Sequence, residues 1–137
     1  MEMFEEAVLR HLTCQEGFFV TQMEVPWDEL NKVGGSAPDL IAIHPEKPGR
    51  IYLVEVSARE NLKNLSEKIS NRSKHWYEWF NFNFEFWGRR APFEFKSIAF
   101  IRRDARNFSV GGDDIVVRYL EDIVFHWRPE LQTPSLP

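Results

Sequence analysis

One cysteine, Cys14, is the only thiol in the 137 residues. It excludes an intramolecular disulfide and suits a reducing compartment, so the chain reads as cytoplasmic. Long apolar runs are missing: none approaches the roughly 20 residues that cross a bilayer, and no membrane partner is expected. The opening Met1–Glu6 also lacks the basic and apolar regions of a secretory signal. Basic charge is scarce, with a formal net charge of −4. Any contact with a polyanion must therefore come from local patches. The histidines His11, His44, His75 and His126 lack zinc-ligand spacing. Gly34-Gly35-Ser36 and Gly111-Gly112 lack the Gly-Lys-Ser/Thr that a Walker phosphate loop requires. What remains is rich in core material. Hydrophobic residues make up 43% and aromatics 15%, enough for one packed domain and against disorder. The domain is expected over residues 1–127, with a proline-rich tail at 128–137.

The pattern predicts alternating elements. Phe4, Ala7, Val8, His11 and Leu12 follow one face of a helix over 2–13. Glu5 lies on that side and Glu6 on the charged side. Gly17 suits a left-handed cap, and Phe18–Val25 reads as a strand stopped by Pro26. Residues 26–38 have loop composition. Two strands follow at 39–44 and 50–57, joined by Pro45-Glu46-Lys47-Pro48-Gly49 into a hairpin. A long helix is expected over 59–80, anchored by Leu62, Leu65, Ile69, Trp76 and Phe80. Residues 81–87 alternate Phe with polar residues as a strand does, yet carry a helical polar stripe. The poor strand propensity of asparagine favours a continued helix. Strands at Phe93–Ile101 and Ile115–Tyr119 follow, then a short helix over Leu120–Trp127. These elements predict an α/β fold with a central mixed sheet flanked by helices.

Two acids stand inside the hairpin strands. Pro38-Asp39 opens the first, and Glu55-Val56-Ser57 closes the second. Two carboxylates on neighbouring strands can hold a hard divalent cation, which prefers oxygen ligands, and such a cation can activate water against a phosphodiester. Each acid also has a simpler reading. Asp39 could finish a turn, Glu55 could pair with Arg59 or Lys63, and Glu5 could be an ordinary helix-surface acid. Glu55 is the hardest to dismiss, because a charge among Leu53, Val54 and Val56 needs water, a partner or a metal.

The order helix–strand–strand–strand–helix–strand, taken with Asp39 and Glu55, resembles the core of the PD-(D/E)XK nuclease superfamily, the restriction-endonuclease-like fold. Phe4-Glu5 and Gly17-Phe18-Phe19-Val20 resemble the first helix and strand of its Holliday-junction-resolvase-like branch. The resemblance covers about residues 2–103 and implies a nuclease acting on DNA with Mg²⁺ or Mn²⁺. It implies Asp39, Glu55 and the carbonyl of Val56 as metal ligands, and Glu5 as an added ligand or water-orienting acid. The chain departs from the family where its motif has lysine, since Ser57 stands there. Ser57 can donate a hydrogen bond but supplies no charge. Arg59, Lys63 and Lys68 are the nearest candidates in sequence for a cation reaching in from elsewhere, and Lys63 is taken as the catalytic candidate. The alternative is an inactive nuclease-fold module that binds DNA or a protein.

Lys68, Arg72, Arg89, Arg90, Arg102 and Arg103 are candidate phosphate contacts, weighed against a solvated face held by internal salt bridges. The aromatics at 76–87 exceed what one helix face buries. They suggest base stacking, core packing or a homodimer interface.

Overall fold

A carboxylate starts the first helix. Glu2 accepts the Phe4 N–H at 2.7 Å, which satisfies one of the amides that a helix start leaves unpaired. The computed structural model describes residues 2–22, 38–71, 93–110 and 114–126. Helix α1 runs over Met3–Arg10, with Glu5 and Glu6 in its first turn and Arg10 in its last. This charge order complements the helix dipole. The helix then widens into a π-helical segment over His11–Gln15. There the Glu16 N–H donates to the His11 carbonyl, and Gly17 takes φ +77°. The expected helix over 2–13 is thus an α-helix with a π-helical end, and Gly17 adopts the left-handed turn expected of it.

Strands β1 (Phe19–Thr21), β2 (Leu40–Ile43), β3 (Arg50–Val56), β4 (Glu94–Ile101) and β5 (Ile115–Tyr119) form one sheet in the order β1-β2-β3-β4-β5. The β1–β2 and β2–β3 pairs are antiparallel, and the β3–β4 and β4–β5 pairs are parallel. The fold is therefore α/β with a five-stranded mixed sheet, and the two acid-bearing strands are the antiparallel neighbours their turn predicts. His44 follows β2. Its carbonyl accepts the Lys47 N–H at 2.9 Å to close the hairpin turn.

Each face of the sheet carries its own core. On one side α1 and helix α3 (Leu120–His126) pack Ala7, Val8, Leu12, Leu120 and Ile123 against Leu40, Ala42, Val54, Ile98 and Phe100. On the other side lies helix α2, described over 63–71. Leu62, Leu65 and Ile69 meet Ala99 and Ile101 there. The central strands β3 and β4 bury side chains on both faces, which explains their nearly continuous apolar runs.

Helix α2 starts later than expected. Residues 59–62 are not helical, because their backbone is engaged elsewhere. Arg106 N–H donates to the Glu60 carbonyl and Leu62 N–H to the Arg106 carbonyl, around a parallel bridge between Asn61 and Arg106. Asn61 Oδ1 then accepts the Lys63 N–H at 3.2 Å and caps the helix. The segment 105–109 also reaches α2 through Ser66. This buried hydroxyl lies 2.9 Å from the Leu62 carbonyl and 3.1 Å from the Asn107 carbonyl, and it accepts the Ser109 N–H at 3.1 Å. Asn107 sits at φ +61°, a conformation asparagine tolerates better than most residues.

The expectations for the loop at 26–37, the helix beyond residue 71, the 76–87 aromatic segment and the tail at 128–137 lie outside the described residues. So do the candidate contacts Arg72, Arg89 and Arg90. Among the described residues, no helix is long and apolar enough to cross a membrane.

Ser66→Ala is expected to lower the unfolding free energy by about 1–3 kcal/mol, since it strands buried backbone groups without their hydroxyl partner. Urea denaturation measures this. A change below about 0.5 kcal/mol, the range of an ordinary surface substitution, would show that the clamp is not stabilising.

Candidate active site

The β2–β3 register sets the two acids against each other. Leu40 pairs with Val54, Ile41 with Leu53 and Ala42 with Tyr52. Continuing this register by one residue places Asp39 opposite Glu55. Directly opposed residues of an antiparallel pair project to the same face. The closing hydrogen bond is present: Val56 N–H donates to Asp39 Oδ2 at 2.8 Å. Asp39 is thus more than a turn residue. The tip of β3 fixes its carboxylate.

Glu55 is almost entirely out of water, with 1% of its surface exposed. The cation that meets it is Lys68, whose Nζ lies 3.2 Å from Glu55 Oε2. Neither Arg59 nor Lys63 takes that place. Arg59 lies past the end of β3, is exposed, and gives its backbone N–H to Ser57 Oγ at 3.3 Å. The β3 face therefore runs through Glu55 and stops short of Arg59. Lys63 is exposed at the start of α2. Lys63 and Lys68 are five residues apart and so project about 140° apart around the helix. Only the Lys68 flank faces Glu55. Of the three cations considered for the place of the motif lysine, Lys68 rather than Lys63 or Arg59 is the one that meets Glu55. Periodicity marks Leu62, Leu65 and Ile69 as the buried stripe, but it does not say which flank overhangs β3.

Ser57 makes a local turn at the strand exit. Its backbone N–H donates to the Phe100 carbonyl at 3.0 Å, and its hydroxyl oxygen accepts from Arg59. The hydroxyl proton remains a possible donor.

Glu5 approaches from α1, half-buried. Its pKa is raised above the usual 4.5, first by burial and next by the negative charge of Asp39. The first-helix acid and the β2 acid therefore sense each other electrostatically.

The donor set is hard oxygen, carboxylates plus the nearby carbonyl of Val56, which suits Mg²⁺ or Mn²⁺ better than a soft metal. Among the described residues no group of three or more His, Cys, Asp or Glu side chains is arranged to hold a metal ion. The oxygens at this end of the hairpin are those of two carboxylates and a backbone carbonyl. Hydrated Mg²⁺ accepts so small a protein share.

The basic candidates after β4 are already engaged. Arg102 makes a two-point contact with Asp104 at 2.8 and 2.6 Å. Arg103 pairs with Asp122 and lies 4.6 Å from the Tyr119 ring centroid. Arg106 stands 3.8 Å from Glu60. For Arg102 and Arg103 the internal salt-bridge reading describes the geometry. The remaining polar cluster joins edges. Glu16 accepts from Arg118 at 3.0 Å and lies 2.7 Å from His11 Nε2. His44 Nδ1 accepts the Glu46 N–H, which leaves Nε2–H to donate to the Glu16 carbonyl at 3.0 Å.

Comparison with family models, with curated proteins and with solved structures gave no match.

Glu5 yields a pH test. Its folded pKa is raised, so the folded state holds this proton to higher pH than the unfolded chain does. Stability contributed by Glu5 is present at low pH and is lost as pH rises through the window above 4.5. Glu5→Gln is expected to raise the melting temperature at pH 7, with the difference closing as pH falls towards 4.5. A variant less stable than wild type at pH 7 would contradict the assignment.

Proposed function

We propose that this chain is a metal-dependent nuclease of the PD-(D/E)XK type, with a restriction-endonuclease-like core, and that it hydrolyses DNA phosphodiester bonds in the cytoplasm. The observation that carries the reading is the placing of Lys68 Nζ 3.2 Å from the buried Glu55, beside Asp39. Serine at the motif position is the chain's main departure from the family pattern, and Lys68 from the next helix supplies the missing positive charge.

Each residue has a role in this reading. Asp39, held by the Val56 N–H, and Glu55 would present oxygens to Mg²⁺ or Mn²⁺, with the carbonyl of Val56 next after Glu55 in sequence. The metal, when bound, polarises the phosphate and lowers the pKa of the attacking water. Lys68 stabilises negative charge on the phosphate and positions water. Glu5, with its raised pKa, is suited to accept the proton that water loses. Ser57 offers a hydroxyl donor at the same edge. Lys68 has a further use in bringing the phosphodiester to the site as a point charge. A homodimer through 76–87 belongs to the same proposal, because two sites related by a two-fold axis can address both strands.

A second reading has its own support. Ser57 stands where the family has lysine, and Arg102, Arg103 and Arg106 are engaged by carboxylates. Both features suit a nuclease-fold module that binds a partner without cutting.

Cleavage assays separate the two. Supercoiled, linear and branched DNA are incubated with the protein in Mg²⁺ or Mn²⁺. Wild type is expected to cleave, and Asp39→Asn and Glu55→Gln are expected to lose about 100-fold or more. Lys68→Met is expected to lose about 10²–10³-fold, in line with removal of one transition-state charge donor. Cleavage that survives in both acid variants would reject the site. DNA binding without cleavage would select the module.

A further inference from the structure

We infer that Lys68 is a built-in antagonist of divalent cations at Glu55: its ammonium fills the cation position of this carboxylate until a metal ion displaces it. The inference rests on the nuclease reading of the site and concerns how that site gains its metal.

Glu55 is 1% exposed. Removing a carboxylate from water costs several kcal/mol unless charges or donors replace the lost solvation. Lys68 Nζ, at 3.2 Å, provides one such charge. The lysine side chain is itself 29% exposed, so it reaches Glu55 from the solvent side on a four-carbon stem that can swing outward. Asp39 stands across the strand pair and uses Oδ2 to accept the Val56 N–H. Glu5 feels the charge of Asp39. A dication offers such carboxylates more charge than a single ammonium does.

Two cations cannot both sit in contact with Glu55 Oε2 without strong mutual repulsion in a setting so poor in water. A metal ion bound there must move the ammonium away. The displaced ammonium lies at the mouth of the site, where a phosphate group offers it a new partner. Two consequences follow. Lys68 lowers the affinity for free metal. A bound phosphodiester raises that affinity, because it holds the displaced lysine. By linkage, metal raises the affinity for the phosphodiester by the same factor.

Mn²⁺ titration of the full chain, followed by calorimetry and by thermal shift, tests this without any activity assay. Lys68→Met is expected to bind Mn²⁺ about tenfold tighter than wild type, a modest share of the repulsion between close charges near a protein surface. Lys68→Gln serves the same purpose should Lys68→Met fail to fold. Lys68→Arg keeps the charge and is expected to stay near wild type. Lys47→Met, at the exposed hairpin turn, controls for net charge and is also expected to stay near wild type. Short single-stranded DNA with Ca²⁺ is expected to tighten cation binding to wild type by a larger factor than to Lys68→Met. Equal or weaker Mn²⁺ binding by both neutral Lys68 variants would overturn the antagonism while leaving the metal site intact. Absence of Mn²⁺ binding in wild type and in every Lys68 variant would overturn the antagonism and the metal site together.

Discussion

The β2–β3 hairpin register is the constraint on which the site depends. A slip of one residue would turn Glu55 to the opposite face and separate it from Lys68. The register is held by the closed turn after His44, by the apolar pairs on both faces and by the Val56 N–H to Asp39 bond. That last bond does two things at once. It ends the pairing of the strands and fixes a carboxylate beside Glu55. Because β3 lies in the middle of the sheet, Glu55 is buried between neighbouring elements, and its charge must be met by something specific.

Helix α2 meets it, and the rest of the described fold holds α2 in place. The segment after β4 bonds to residues 60–62 through backbone groups and to Ser66 through its hydroxyl. Ser66 and Lys68 lie on different flanks of α2, one facing the clamp and the other facing Glu55. Helix α1 carries Glu5, which feels the charge of Asp39. The site is thus built from three elements: the hairpin supplies two acids, α2 supplies the cation, and α1 supplies an acid with a raised pKa.

Much of this was legible in the residues. The turn residues Pro45–Gly49 between two apolar runs sufficed for the hairpin, while its register is seen only in the structure. Glu55 stood out because a charge in an apolar strand demands a partner. The partner itself was not legible. Lys63 is nearer to Glu55 in sequence, but the helix starts at residue 63 rather than 59, and that shift decides which lysine overhangs β3. The late start comes from a long-range bridge between Asn61 and Arg106, which no local pattern reveals. The π-helical end of α1 was equally hidden, since apolar spacing scarcely distinguishes one π turn from an α turn. The arginines after β4 left phosphate contact and internal salt bridges both open in the sequence, and the partners Asp104, Asp122 and Glu60 are visible only in space.

The central claim is that Asp39 and Glu55 share one divalent cation and that Lys68 stands beside it. The most direct measurement is anomalous diffraction from crystals soaked in Mn²⁺. The account predicts one strong peak bonded to carboxylate oxygens of both Asp39 and Glu55, with the Lys68 ammonium withdrawn from Glu55 Oε2. A Mn²⁺-soaked crystal with no peak there, and with Lys68 still on Glu55, would contradict it.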